Sequence, residues 1–263
     1  MENKKEALFE PINTSMLYKY RDDSPNTERI IAEHALWFSS PLAFNDPFDC
    51  WSVVDEGNEE KKMQWISQNS RKNIILKTIA HSNYKMVEQN LKPSLLKQSA
   101  DNTLSQIRIC SFSLICDSIL MWSHYAKEHT GMCFMFDFKE DPSLIECCSR
   151  INYVSQITPC NILSETGRED LVRNCILSKY KDWQYEEEVR SVKFGKDVQQ
   201  SVKGQNYAFN RMALKKIIFG CRATAETIEK YESLCQKHGM QHIVFSRMKQ
   251  MEDGTFELVE ELI

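Results

Sequence analysis

Trp183-Gln184-Tyr185-Glu186-Glu187-Glu188-Val189-Arg190-Ser191-Val192-Lys193-Phe194 reads as a β-strand with an unusual cargo. Side chains alternate between the two faces of a strand, so Glu186, Glu188 and Arg190 fall on the same side as Val192 and Phe194. If Val192 and Phe194 mark a buried face, two carboxylates and a guanidinium are carried inward with them, where charge must be paired or used. Both a structural ion-pair ladder and a reactive site satisfy that pattern.

A strand of this kind needs a sheet around it, and the chain supplies one. Residues 16–21 (MLYKYR), 36–40, 108–114, 132–138, 151–154, 216–219 and the segments near Ile243 and Phe256 are rich in strand formers. Helical patterns are expected from Asn26 or Thr27 through Ala35, at 117–127, near 169–179 and at 225–237. These elements lack the regular spacing of βαβ units, so the expected fold is α+β, a single domain over 1–263 with a mixed, largely antiparallel central sheet. Residues 55–106 interleave charged and apolar residues at helical spacing and read as a helical insertion, with Pro93 opening a new helix.

Bulk properties narrow the function classes. A formal charge of -4 gives no general attraction for nucleic acid or anionic lipid. The charged opening residues lack a secretory h-region, and no apolar run of about 18 residues occurs, so a cytoplasmic protein with no membrane partner is expected. The ten cysteines form no Cys-x-x-Cys pair and no zinc-finger spacing; reduced, mostly buried thiols are expected, and no metal. Neither a GxGxxG fingerprint nor a GxxxxGK[ST] loop is present.

Further candidates cluster in three places. Tyr18, Tyr20 and Arg21 lie on the first strand, where aromatics beside fixed cations suit an anionic, ring-bearing ligand such as a nucleotide. Trp122, His124 and Tyr125 lie on a helix; Trp122 and Tyr125, three apart, share a face that packs or lines a pocket. His124 and His129 are five apart, the wrong spacing for a zinc-protease helix, and a Cys133–His129 nucleophile pair is a weaker alternative. Asn45-Asp46-Pro47 reads as a turn, with Asp49 a second acid just beyond it.

In order along the chain, LYKYR, LWFSSPLAFNDPFDC, ICSFSL, MWSHYAKEHTGMCFMFD and WQYEEEVR resemble the successive motifs of the bacterial family known as domain of unknown function 2971. The layout is also similar to an abortive-infection family of bacterial phage defence and, more remotely, to the ADP-ribosyltransferase fold with its split sheet. That resemblance implies NAD as co-substrate, a first-strand polar or basic position at Arg21 or Tyr20, a second-strand hydroxyl at Ser39, and a catalytic glutamate at Glu188 or Glu186. Substrate contacts from Tyr18, Asp46, Trp122, His124, Tyr125 and Arg190 would complete the site. The first strand has no histidine, a departure from the usual pattern. Two further readings stand beside this one: a non-catalytic ligand-binding or sensor module, and a metal-dependent nuclease or phosphoesterase built on Asp46, Glu186 and Glu188.

Overall fold

Strand-forming segments organise the fold around one large sheet. The computed structural model describes residues 9, 12–55, 60, 61, 64, 93–164, 166–195, 198 and 203–263. In chain order the elements are β1 (Met16–Arg21), α1 (Pro25–Ala32), β2 (Ala35–Ser39), α2 (Pro93–Leu104), β3 (Ile107–Ser113), α3 (Ile119–Tyr125), β4 (Met132–Asp137), β5 (Cys148–Arg150) and β6 (Asn152–Val154). There follow α4 (Gly167–Leu171), β7 (Ser178–Tyr180), β8 (Glu188–Phe194), β9 (Gly204–Ala208), β10 (Leu214–Phe219), α5 (Ala225–Lys237), β11 (Val244–Gln250) and β12 (Leu258–Leu262). The protein is mixed α+β with a large, mostly antiparallel sheet, as its sequence predicts. Pro93 does open a helix, whereas most of the helical reading over 55–106 lies outside the described residues.

Ten strands form the main sheet in the order β12-β11-β10-β4-β1-β3-β2-β9, with β8 pairing β3 and β5 pairing β8. Among the described residues, β10–β11 is its one parallel pair. A second sheet is the parallel pair β6–β7. The main sheet divides at β3: β1 meets it at Tyr18↔Ser113 and β2 at Ser39↔Ile109, while β8 runs the full length of its other edge. Ser111 lies between the two meeting points, and the Lys19 ammonium bridges the gap by donating to its carbonyl at 2.8 Å.

Register decides what each face carries. Paired residues project to the same side, so Tyr18, Ser113 and Glu188 share a face, as do Ser111 and Arg190. The opposite face holds Leu17, Phe112, Phe134, Phe136, Val189 and Ile217 in the largest apolar cluster, closed by Ile30 and Ile31 of α1 and Tyr231 and Cys235 of α5. On the first face the apolar residues form two separate clusters. One gathers Tyr20, Trp122, Cys133 and Ile218, and the other Ile107, Ile109, Cys175 and Val192.

Several expectations need correction. Glu186 is not on the strand; it ends a 3-10 turn at Lys181–Glu186, and β8 begins at Glu188. The helix expected near 169–179 is shorter: α4 runs into a π turn at Val172–Ile176, after which Lys179 sits in β7. The short strands β5 and β9 carry too little local pattern to be read from sequence.

Gly131 shows how closely the first strand is seated. A Cβ there would lie 2.3 Å from the Arg21 carbonyl oxygen, so only glycine lets the chain entering β4 pass beneath the end of β1. Gly131→Ala should destabilise the protein by about 1–3 kcal/mol through overpacking, read as a lower urea midpoint. An unchanged midpoint would refute the close approach.

Candidate functional site

Five buried charged side chains converge where β8 leaves its preceding turn. Glu187 adopts a left-handed conformation (φ 43°), and its amide closes the turn onto the Gln184 carbonyl. The Ser113 hydroxyl donates to the Glu186 carbonyl at 2.6 Å, fastening the turn to β3. This reversal sets the Glu186 and Glu188 side chains around one ammonium, that of Lys179. Its Nζ lies 2.5 Å from Glu186, 3.0 Å from Glu188 and 3.6 Å from Asp49.

Arg190 holds the other side of the cluster. It is fully buried, and its Nε donates to Glu188 at 2.7 Å while one terminal nitrogen donates to both Asp49 oxygens at 2.7 and 2.8 Å. The other terminal nitrogen donates to the Ile176 carbonyl at 2.7 Å and reaches Cys50 Sγ at 3.2 Å, and the guanidinium lies over the Phe44 ring. Its donors are therefore engaged by the protein itself. Asp49 arrives from the Asn45-Asp46-Pro47 turn, where the Asp46 carboxylate accepts from the Phe48 amide at 2.9 Å.

Three carboxylates thus face two cations, and the proton balance follows. Burial would raise the Glu188 carboxyl, but Arg190 and Lys179, with the Ser111 hydroxyl, hold it well below the ordinary range. Burial likewise works against the Lys179 ammonium, yet Glu188, Asp49 and Glu186 together keep its pKa raised. For Glu186 burial wins: against the pull of Lys179, and with Glu188 adding repulsion, its carboxyl is raised. Glu186 is the place where an extra proton is most easily held. Tyr125, kept protonated by burial and by the same carboxylate, donates to it at 2.5 Å.

This cluster opens into a cleft of about 240 Å³. Tyr18, Tyr20, Arg21, Tyr125, Glu186 and Glu188 all line it, together with Lys19, Asn45, Asp49 and Lys179. Within that lining Tyr20 is mostly buried, its hydroxyl spent on the Ile115 carbonyl at 3.0 Å and its ring edge-on to Trp122. Lys179 and Asp49 carry no local periodic signal as site residues. The acid beyond the Asn-Asp-Pro turn was legible as a residue, though not as a partner of Arg190.

Other expected residues lie elsewhere. The Ser39 hydroxyl makes long contacts, at 3.4 Å, to the Ser40 and Lys203 carbonyls and is not part of the cleft lining among the described residues. Asp46 shapes the turn and faces neighbouring hollows. Trp122 is fully buried, donating to the Cys116 carbonyl at 2.7 Å, so it is core and not a ligand wall. His124 pairs with the Tyr185 hydroxyl at 3.0 Å outside the cleft lining. Arg190 lies behind the carboxylates, where it positions them. Cys133 is buried beside Tyr20, its partner across β1 and β4, and burial pushes its thiol well up, which does not suit a nucleophile.

Fold and site together define an α+β protein with a buried carboxylate–ammonium cluster at the wall of a cleft. Residues 121–191 match the family model described as "Protein of unknown function (DUF2971)". That span carries Tyr125, Lys179, Glu186, Glu188 and Arg190, while β1 and Asp49 lie before it. No curated protein and no solved structure matches the chain. No helix among the described residues is long and apolar enough to cross a membrane.

The opposite shifts of the two glutamates give opposite pH trends. Glu188 contributes stability that is present above the unfolded value of about 4.3 and lost as pH falls through its depressed folded value. The destabilisation of Glu188→Gln should therefore shrink on acidification. Glu186, being raised, favours folding most below about 4.3 and loses that contribution as pH rises through its folded value. Glu186→Gln should accordingly gain on wild type with rising pH. Denaturant titrations across the acid range check both signs, and parallel trends would contradict the assignment. Arg190→Met, which strands buried carboxylates, should cost about 3–5 kcal/mol in the same assay.

Proposed function

We propose that the cleft binds a ring-bearing, phosphate-carrying ligand of the NAD class and that the protein cleaves its nicotinamide–ribose bond, as an ADP-ribosyltransferase-like or NAD-cleaving enzyme. The observation that carries this reading is Glu186: a cleft-lining carboxyl with a raised pKa, held at 2.5 Å by both Tyr125 and Lys179. When Glu186 is ionised, the three carboxylates exceed the two cations by one negative charge, and that excess borders the cleft.

The chemistry such a site supports is glycosyl transfer. The carbon–nitrogen bond to nicotinamide breaks, its electron pair leaves with the neutral nicotinamide, and a ribosyl cation remains. The Glu186 carboxylate stabilises that cation. Water or an acceptor hydroxyl then attacks the same carbon, and its proton passes to Glu186 and on to solvent. Tyr18 and Tyr125 offer ring faces, Lys19 and Arg21 offer charge to phosphate, and Arg190, Asp49 and Glu188 keep Lys179 and Glu186 in place. NAD depletion by this reaction is how the phage-defence role implied by the family resemblance would operate.

A second reading, a non-catalytic nucleotide sensor, is favoured by one observation: Glu188, Arg190 and Asp49 satisfy one another without any ligand. In that case NAD would raise the melting temperature with no turnover. The nuclease reading has less support, because the Lys179 ammonium already occupies the centre of the carboxylates and Asp46 is not among them.

Incubation of the purified protein with NAD, with and without macromolecular acceptors, should release nicotinamide. Glu186→Gln, folded as judged by its melting temperature, should lower the rate by about 100- to 1,000-fold. No release from wild type, or equal release from Glu186→Gln, refutes the proposal. The rate should rise with pH as Glu186 ionises. Because the Tyr125 hydrogen bond favours the ionised carboxyl, Tyr125→Phe should move that rise to higher pH.

A further inference from the structure

A second hollow, of about 460 Å³, adjoins the first where β1 and β2 diverge. Lys19 and Arg21 line both hollows. Arg29, Trp37, Asn26 and Asn206 also line the second, with the apolar residues Ile30, Ala35 and Leu36. Its lining, among the described residues, holds three cations and no carboxylate, in a chain where acids outnumber bases 37 to 33. We infer that this hollow is a nucleotide subsite taking the diphosphate and base of a nucleoside diphosphate. The inference rests on the NAD-class reading of the first cleft and extends it to the other half of the ligand.

Two of the cations are already oriented. Lys19 is held by the Ser111 carbonyl at 2.8 Å and lies over the Phe112 ring, and Arg21 Nε donates to the buried Thr27 hydroxyl at 3.2 Å. The remaining guanidinium nitrogens of Arg21 can form the paired hydrogen bonds that phosphate favours. Fixing these cations before binding reduces the ordering that an anion must impose. Arg29 engages Glu33 through Nε at 3.1 Å, a solvent-exposed pair that leaves the far edge of its guanidinium for a second phosphate.

Trp37 supplies a surface for the base. Its indole lies against Gly204 on the neighbouring strand, where a Cβ would come within 2.5 Å of the ring, so glycine is needed for this seat. Nearly half of the tryptophan, 48%, stays exposed although its neighbours Leu36 and Phe38 are fully buried. An aromatic side chain seated on glycine beside three cations suits a flat base attached to phosphates.

Calorimetric titration with ADP, and with pyrophosphate as the probe lacking a base, tests the assignment. Wild type should bind ADP more tightly than pyrophosphate. Arg29→Ala and Trp37→Ala should each weaken ADP binding about tenfold, the worth of one charge-assisted hydrogen bond or one stacked ring. Trp37→Ala should leave pyrophosphate unaffected, and Arg29→Glu, a surface change that repels phosphate, should weaken both probes. No ADP binding by wild type, or ADP affinity unchanged in the folded Arg29→Ala, Arg29→Glu and Trp37→Ala variants, overturns the subsite. Nicotinamide release with ADP binding insensitive to Arg29 and Trp37 removes this subsite alone, whereas sensitive ADP binding without release removes the proposed reaction and leaves the subsite standing.

Discussion

The Lys179 ammonium, held among Asp49, Glu186 and Glu188 below the surface, is the interaction on which the site depends. A charge so placed is tolerated only when opposite charge surrounds it, and Arg190 supplies the complementary cation on the far side of Glu188 and Asp49. Because these groups come from the Asp46 turn, β7, the turn before β8 and β8 itself, the cluster ties together segments that are distant in sequence. It also separates the two apolar clusters on one face of the sheet, and the cleft opens where that apolar packing is interrupted.

The imbalance within the cluster gives it chemistry. Two cations face three carboxylates, and Arg190 grips Glu188 and Asp49 directly while Lys179 lies among all three. At Glu186 burial and the repulsion of Glu188 outweigh the pull of Lys179 and the Tyr125 hydroxyl, so its proton affinity rises, while that of Glu188, paired with both cations, falls. Two carboxyl groups two residues apart are thereby driven to opposite behaviour by their surroundings, which is the usual way a protein separates a charge-holding role from a proton-handling one.

Sequence pattern exposed part of this and hid the rest for physical reasons. Glu188 and Arg190 are legible because strand alternation ties them to Val192 and Phe194, whereas a left-handed Glu187 and not strand parity brings Glu186 inward. β1, α5 and the central antiparallel sheet were legible from their apolar spacing. Lys179 was hidden by a π turn that displaces it from the helix its neighbours suggest, and Asp49 by a turn whose more conspicuous residue, Asp46, only shapes the backbone. Trp122 and Tyr125 share a helix, yet one packs the core and the other faces the carboxylate, a distinction that requires knowing where α3 lies against β1 and the turn before β8.

The most direct test of the account is the titration of Glu186 itself, followed by carbon-13 carboxyl resonances of glutamate-labelled protein and assigned with Glu186→Gln and Glu188→Gln. Glu186 should titrate above the free-glutamate value of about 4.3 and shift further upward in Tyr125→Phe, while Glu188 should stay ionised well below it. A Glu186 that titrates at or below that value, alongside a Glu188 that takes up the proton first, would contradict the arrangement.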